Sequence, residues 1–112
     1  VWFDSAAHGG NVPSMPTPLT PERLTAALAT LPAWQRTGEA LTRSYTFSDF
    51  AQAMAFMNDA AVEIERLNHH PEWTNVYNRL DVRLTTHDAG DRVTAADVEL
   101  AKTLDWVAVR FQ

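Results

Sequence analysis

Glu65-Arg66-Leu67-Asn68-His69-His70-Pro71-Glu72-Trp73 is the stretch in which the longest helical pattern of the chain meets its sharpest break. Upstream, Ser48-Asp49 offers polar caps, and Phe50, Met54, Met57, Ala61, Ile64 and Leu67 recur at three- and four-residue spacings. This predicts a helix running to about Asn68. Pro71 disfavours helical backbone for the residue before it, so His70 is expected in extended geometry just past the helix end. Downstream, residues 72–79 read as a strand carrying Trp73, Val76 and Tyr77. Leu80, Val82 and Leu84 then alternate with Asp81, Arg83, Thr85 and His87, the pattern of a strand with one buried face. That alternation puts His87 on the polar face.

The flanks complete the pattern. Thr20-Pro21-Glu22 combines a hydroxyl N-cap, a first-turn proline and a first-turn acid, and Leu24, Leu28 and Leu31 mark one helix face until Pro32 stops it. Between Trp34 and Phe47, Leu41 and Tyr45 sit among polar residues and Thr37-Gly38-Glu39 reads as a turn, which predicts a hairpin. Asp88-Ala89-Gly90-Asp91 is a second turn. Thr94-Ala95-Ala96-Asp97 resembles a capping box with Asp at the usual Glu position, opening a helix to about Arg110 with Leu100, Leu104, Val107 and Phe111 on one stripe. The predicted order is α-β-β-α-β-β-α. Residues 1–19, with Gly9, Gly10, Pro13, Pro16 and Pro18, show no periodic apolar face and are expected to be a poorly ordered leader to a single domain over 20–112.

Composition narrows the function. A chain of 112 residues suits one domain with its own core. Its formal net charge is -5, and Lys and Arg are scattered rather than clustered, so the basic footprint required by nucleic-acid phosphates is missing. No apolar run approaches the roughly 20 residues that span a bilayer, and no secretory signal pattern is seen. Cysteine is absent, which removes disulfides, thiolate nucleophiles and cysteine-ligated zinc. The expectation is a soluble cytoplasmic protein without direct nucleic-acid or membrane partners.

Three of the four histidines fall between His69 and His87, each where regular structure is predicted to stop. Imidazole titrates at about pH 6.5 when unperturbed, so such a cluster can offer proton donors and acceptors together. Glu65 lies four residues before His69; if the helix persists, the carboxylate shares a face with that imidazole and can orient it. His70 should point elsewhere. A metal site is the competing reading, since Glu65 and three histidines make four ligands. Adjacent histidines seldom reach one ion, however, and the two-histidine helical spacing is missing. Any single histidine here is also explained by the last helix carbonyls or by a solvated strand end.

Taken together, Glu65 to Trp73, Asn75-Val76-Tyr77-Asn78 and Leu84-Thr85-Thr86-His87 resemble the signature of the pterin-4a-carbinolamine dehydratases. The likeness continues through Ala89-Gly90 to Asp97 and Glu99-Leu100-Ala101, covering roughly residues 20 to 110. It departs from the family pattern at Asp91-Arg92-Val93, a turn one residue longer, and at Ala96, where a charged residue is common. The resemblance implies an α+β fold, a four-stranded antiparallel sheet with three helices packed on one face. It also implies a reaction, the conversion of 4a-hydroxytetrahydropterin to quinonoid dihydropterin and water, without metal or organic cofactor. One proton goes to the departing 4a-hydroxyl and another leaves the neighbouring ring nitrogen.

By the same resemblance His69 and His87 are the principal acid-base pair, His70 holds the pterin and shares in proton transfer, and Glu65 orients the histidines. Pro71 fixes the geometry, Trp73 is a core or pocket-wall aromatic, and Asp97 is either a site acid or simply a helix cap. Family members form homodimers or homotetramers, and a sheet covered on one face leaves edges through which copies can pair. Some animal members serve as dimerisation partners of a transcription factor, an interaction role that is the alternative to catalysis.

Overall fold

The computed structural model describes residues 16–111. Helix α1 (Pro21–Ala29) leads to strands β1 (Gln35–Thr37) and β2 (Ala40–Thr46). Helix α2 (Phe50–Leu67), strands β3 (Glu72–Val76) and β4 (Arg79–Leu84), and helix α3 (Ala95–Ala108) follow, with short 3-10 turns at His87–Ala89 and Val109–Phe111. The strands form one four-stranded antiparallel sheet, as the resemblance implied, and their order in it is β1-β2-β4-β3. Most of the expected leader lies outside the described residues; Leu19, near its end, donates its N–H to Val93 O at 2.9 Å and packs against the core.

Local chemistry explains each boundary. The Thr20 hydroxyl accepts from Arg23 N, and the Asp49 carboxylate accepts from Gln52 N at 2.8 Å, so α1 and α2 begin on side-chain caps. Gly38, with φ of 61°, turns β1 into β2. Leu41, Tyr45, Leu80, Val82 and Leu84 face inward, with Leu41 opposite Leu84 and Tyr45 opposite Leu80, under a helical layer that includes Phe56, Ile64, Leu100, Leu104 and Val107. The outer face is polar: Arg83 pairs with Glu72 and Ser44 with Asp81.

Two expectations need correction. The buried stripe of α2 is Ala53, Phe56, Ala60 and Ile64, whereas Phe50 and Met54 are exposed at 49% and 37% and Ala61 is exposed too. Alanines bring the helix close to its neighbours, and the larger side chains are left to solvent. β3 ends at Val76 rather than residue 79, because Tyr77, at a φ of 53°, and Asn78 make the turn into β4.

A polar contact welds α3 to the sheet. Asp105 accepts from Trp34 Nε1 at 3.0 Å, from Arg43 Nη1 at 2.6 Å and from the Tyr45 hydroxyl at 2.5 Å. Burial and then the Asp105 hydrogen bond hold the Tyr45 phenol protonated well above its ordinary range. Asp105 lies about two turns along α3 from Asp97, so this anchor also fixes the start of that helix against the sheet.

Candidate active site

The site forms where two chain breaks converge. Helix α2 stops because Asn68 takes left-handed backbone, φ 51° and ψ 42°, with its N–H on Glu65 O at 3.1 Å. Asn is one of the few residues other than Gly that tolerate this cap. His69 and His70 therefore leave the helix axis, and Pro71 sends the chain into β3. On the other side β4 ends at Leu84; Thr86 keeps one further bridge to Arg92 and His87 opens the 3-10 turn. The inward-outward parity continues past the strand, with Thr86 buried and His87 exposed.

The two edges enclose an open cleft of about 480 Å3 lined by His69, His70, His87, Leu67, Asp88 and Ala96, among others. That volume lies within the range of small-molecule sites, roughly 300–1,000 Å3. Another depression, about 530 Å3, lies on the polar outer face of the sheet, but its lining carries no histidine.

Each histidine of the cleft is paired with a carboxylate, in graded exposure. His69 Nε2 lies 2.6 Å from Asp97 Oδ1, with the Asp97 side chain completely buried. His70 Nε2 lies 2.6 Å from Glu65 Oε1, both side chains being exposed. His87 Nδ1 lies 3.2 Å from Asp91 Oδ1, and its side chain is 91% exposed. Glu65 thus serves His70 rather than His69, as the i,i+4 spacing had suggested. The reason is the Asn68 cap: once the helix ends at Leu67, helical spacing no longer describes His69.

Asp97 both caps α3 and faces a histidine of the cleft. Its Oδ2 accepts from Thr94 N at 2.9 Å, closing a capping box at the head of α3, and from the Thr86 hydroxyl at 2.8 Å. Its Oδ1 faces His69. A carboxylate has no proton to give, so in this pair Nε2–H donates to Oδ1 and the neutral ring carries its lone pair on Nδ1.

The structure brings His69, His70, His87, Glu65 and Asp97 together. Pro71 and Trp73 do not line the cleft; Trp73 sits opposite Val82 in the sheet and packs against the core. Asp91 was missed by sequence reasoning, although its place four residues after His87 is a usable signal. Asp97 lies 28 residues from His69, a separation with no local signature. Among the described residues, no group of three or more His, Asp or Glu is placed to hold a metal ion, and no helix is long and apolar enough to cross a membrane.

Comparison with known proteins places this geometry. The sequence pattern of the family described as Pterin 4 alpha carbinolamine dehydratase matches residues 17–107. A protein of Opitutus terrae with the provisional name pterin-4-alpha-carbinolamine dehydratase is 51% identical over 94 residues, covering 84% of this chain and 97% of its own. One of Solibacter usitatus, with the same provisional name, is 49% identical over 94 residues, covering 84% and 98%. A crystal structure of a transcriptional coactivator/pterin dehydratase from Brucella melitensis superposes with a TM-score of 0.78 at 44% identity, over 82% of this chain and 99% of that one. A pterin dehydratase-like protein identified as a RuBisCO assembly factor in the alpha-carboxysome shares the fold, with a TM-score of 0.55 at 22% identity over 67% of this chain and 86% of that one. With the family pattern covering most of the chain and relatives about half identical over nearly their whole length, the chain belongs to the pterin-4a-carbinolamine dehydratase family.

Proposed function

We propose that this chain dehydrates 4a-hydroxytetrahydropterin to quinonoid dihydropterin and water by histidine acid-base catalysis. The observation that carries the reading is three carboxylate-paired histidines opening on one cleft in a member of this family. His69, its Nε2–H turned to Asp97, presents Nδ1 to take the proton from the ring nitrogen beside C4a. The nitrogen lone pair then forms the C=N bond, the C4a–O bond breaks, and the departing hydroxyl takes a proton from His87 to leave as water. His70, steadied by Glu65, holds the pterin. Pro71 and Trp73 act at one remove, setting the path of β3. General acid-base assistance of this sort is worth about 10²- to 10⁴-fold.

The test is to add the protein to freshly generated 4a-hydroxytetrahydropterin and follow the ultraviolet change. The dehydration also proceeds unaided, so the expected result is a rate above buffer that scales with protein; a rate equal to buffer refutes the reading. Self-association into a homodimer or homotetramer, through the open sheet edges β1 and β3, and a cytoplasmic location belong to the same proposal.

A second reading is an interaction role. It is favoured by the coactivator description of the Brucella protein and by Phe50, Met54 and Val62, apolar residues that α2 leaves exposed. A cellular phenotype that survives His69→Ala combined with His87→Ala would support it.

A further inference from the structure

Asp97 Oδ2 is gripped from behind by the Thr86 hydroxyl and the Thr94 backbone N–H. Thr86 is 7% exposed, and its backbone is fixed on both sides: its N–H donates to Arg92 O at 2.9 Å and its carbonyl accepts from Ala89 N and Asp91 N, each at 3.1 Å. Its hydroxyl lies 2.8 Å from Asp97 Oδ2 and 2.7 Å from the Thr94 hydroxyl. A hydroxyl has one proton to give. Thr86 gives its proton to the carboxylate, so Thr94 must donate to Thr86, and Thr94 Oγ1 in turn accepts from Ala96 N at 3.2 Å. The hydrogen bonds therefore run one way, from the first turn of α3 through Thr94 and Thr86, and end on the Asp97 carboxylate, which accepts from His69 Nε2–H on its other oxygen.

We propose that Thr86 is a positioning residue for His69, its hydroxyl locking the rotation of the Asp97 carboxylate so that Oδ1 stays on Nε2 and the ring keeps its proton there. The proposal rests on the dehydratase reading for its catalytic consequence only. Thr86 lines the cleft, but its Oγ1 is committed to two protein partners, so loss of the hydroxyl should act on turnover more than on binding. Thr94 N remains on Oδ2, and the loss is accordingly partial.

The test is Thr86→Val, which keeps the shape and removes the hydroxyl, beside Thr86→Ser, which restores it. The valine variant should lower kcat about tenfold, the worth of one hydrogen bond to a charged group. KM should stay within about twofold, since the hydroxyl is already committed to Asp97 and Thr94. The ring-nitrogen NMR signals of His69 should move from the Nε2–H form towards a mixture of tautomers, and serine should recover both kcat and the signals. Should valine not be accommodated, Thr86→Ala is judged by the same ring signals. Unchanged signals and unchanged kcat in a folded variant overturn the proposal. If the wild-type protein does not accelerate dehydration, the dehydratase reading falls, while the ring signals, which need no substrate, still decide whether Thr86 positions His69.

Discussion

Asp97→Asn separates the chemical role of the buried acid from its structural one. An asparagine amide fills the same space. Its oxygen is claimed by two donors, Thr94 N–H and the Thr86 hydroxyl, so its NH2 must face His69. His69 Nε2 then has to accept, and the ring proton moves to Nδ1, the nitrogen assigned to take the substrate proton. Forcing a general base into the wrong tautomer removes nearly all of its contribution, and such assistance is worth about 10²- to 10⁴-fold. Because His70 and His87 are untouched, kcat should fall about 10²- to 10³-fold, roughly 3–4 kcal/mol of transition-state stabilisation. Asp97→Ala is the poorer experiment. It orphans two buried donors at about 1–3 kcal/mol each, out of a total stability of about 5–15 kcal/mol. The assay is pterin dehydration corrected for the buffer rate, with His69 ring-nitrogen shifts measured on the same sample. A folded Asp97→Asn protein with kcat within threefold of wild type, or with His69 still protonated at Nε2, refutes the reasoning.

Other perturbations test neighbouring links. Asn68→Val places a β-branched residue at a φ of 51° and should cost about 1–2 kcal/mol in denaturant unfolding, while Asn68→Gly should hold stability within about 1 kcal/mol. Glu65→Gln breaks an exposed pair worth at most about 1 kcal/mol, so the melting temperature should barely move and KM should rise by no more than about fivefold. Tyr45 is held protonated in the fold, whereas the unfolded chain releases that proton near pH 10. Its contribution is therefore complete below that pH and is lost as pH rises above it. In a Tyr77→Phe background, phenolate absorbance should appear only together with loss of helical circular dichroism; a phenolate signal from folded protein contradicts the buried assignment.

Much of the fold was legible because its boundaries rest on local chemistry. Thr20, Asp49 and Thr94 cap the helices from within the turns they start, Gly38 makes its hairpin, and Leu80, Val82 and Leu84 declare the buried face of β4. What was not legible depends on tertiary packing. Helical spacing alone favoured Phe50 and Met54 for the core, whereas Ala53 and Ala60 are buried: alanines carry little hydrophobic signal but permit close approach. The partner of Glu65 was misassigned because i,i+4 spacing runs through Asn68 in sequence while the helix does not. Asp105 gave no signal at all, since its partners Trp34, Arg43 and Tyr45 lie 60 or more residues away. Three histidines at predicted chain breaks pointed to one site; which carboxylate stands behind each ring is a property of the folded chain.

The most direct test of the central claim is the dehydration rate of freshly generated 4a-hydroxytetrahydropterin with the wild-type protein, with His69→Ala combined with His87→Ala, and with buffer alone. The account predicts acceleration by the wild type and a return to the buffer rate in a folded double variant. A wild-type rate equal to buffer, or a double variant as fast as wild type, would contradict it.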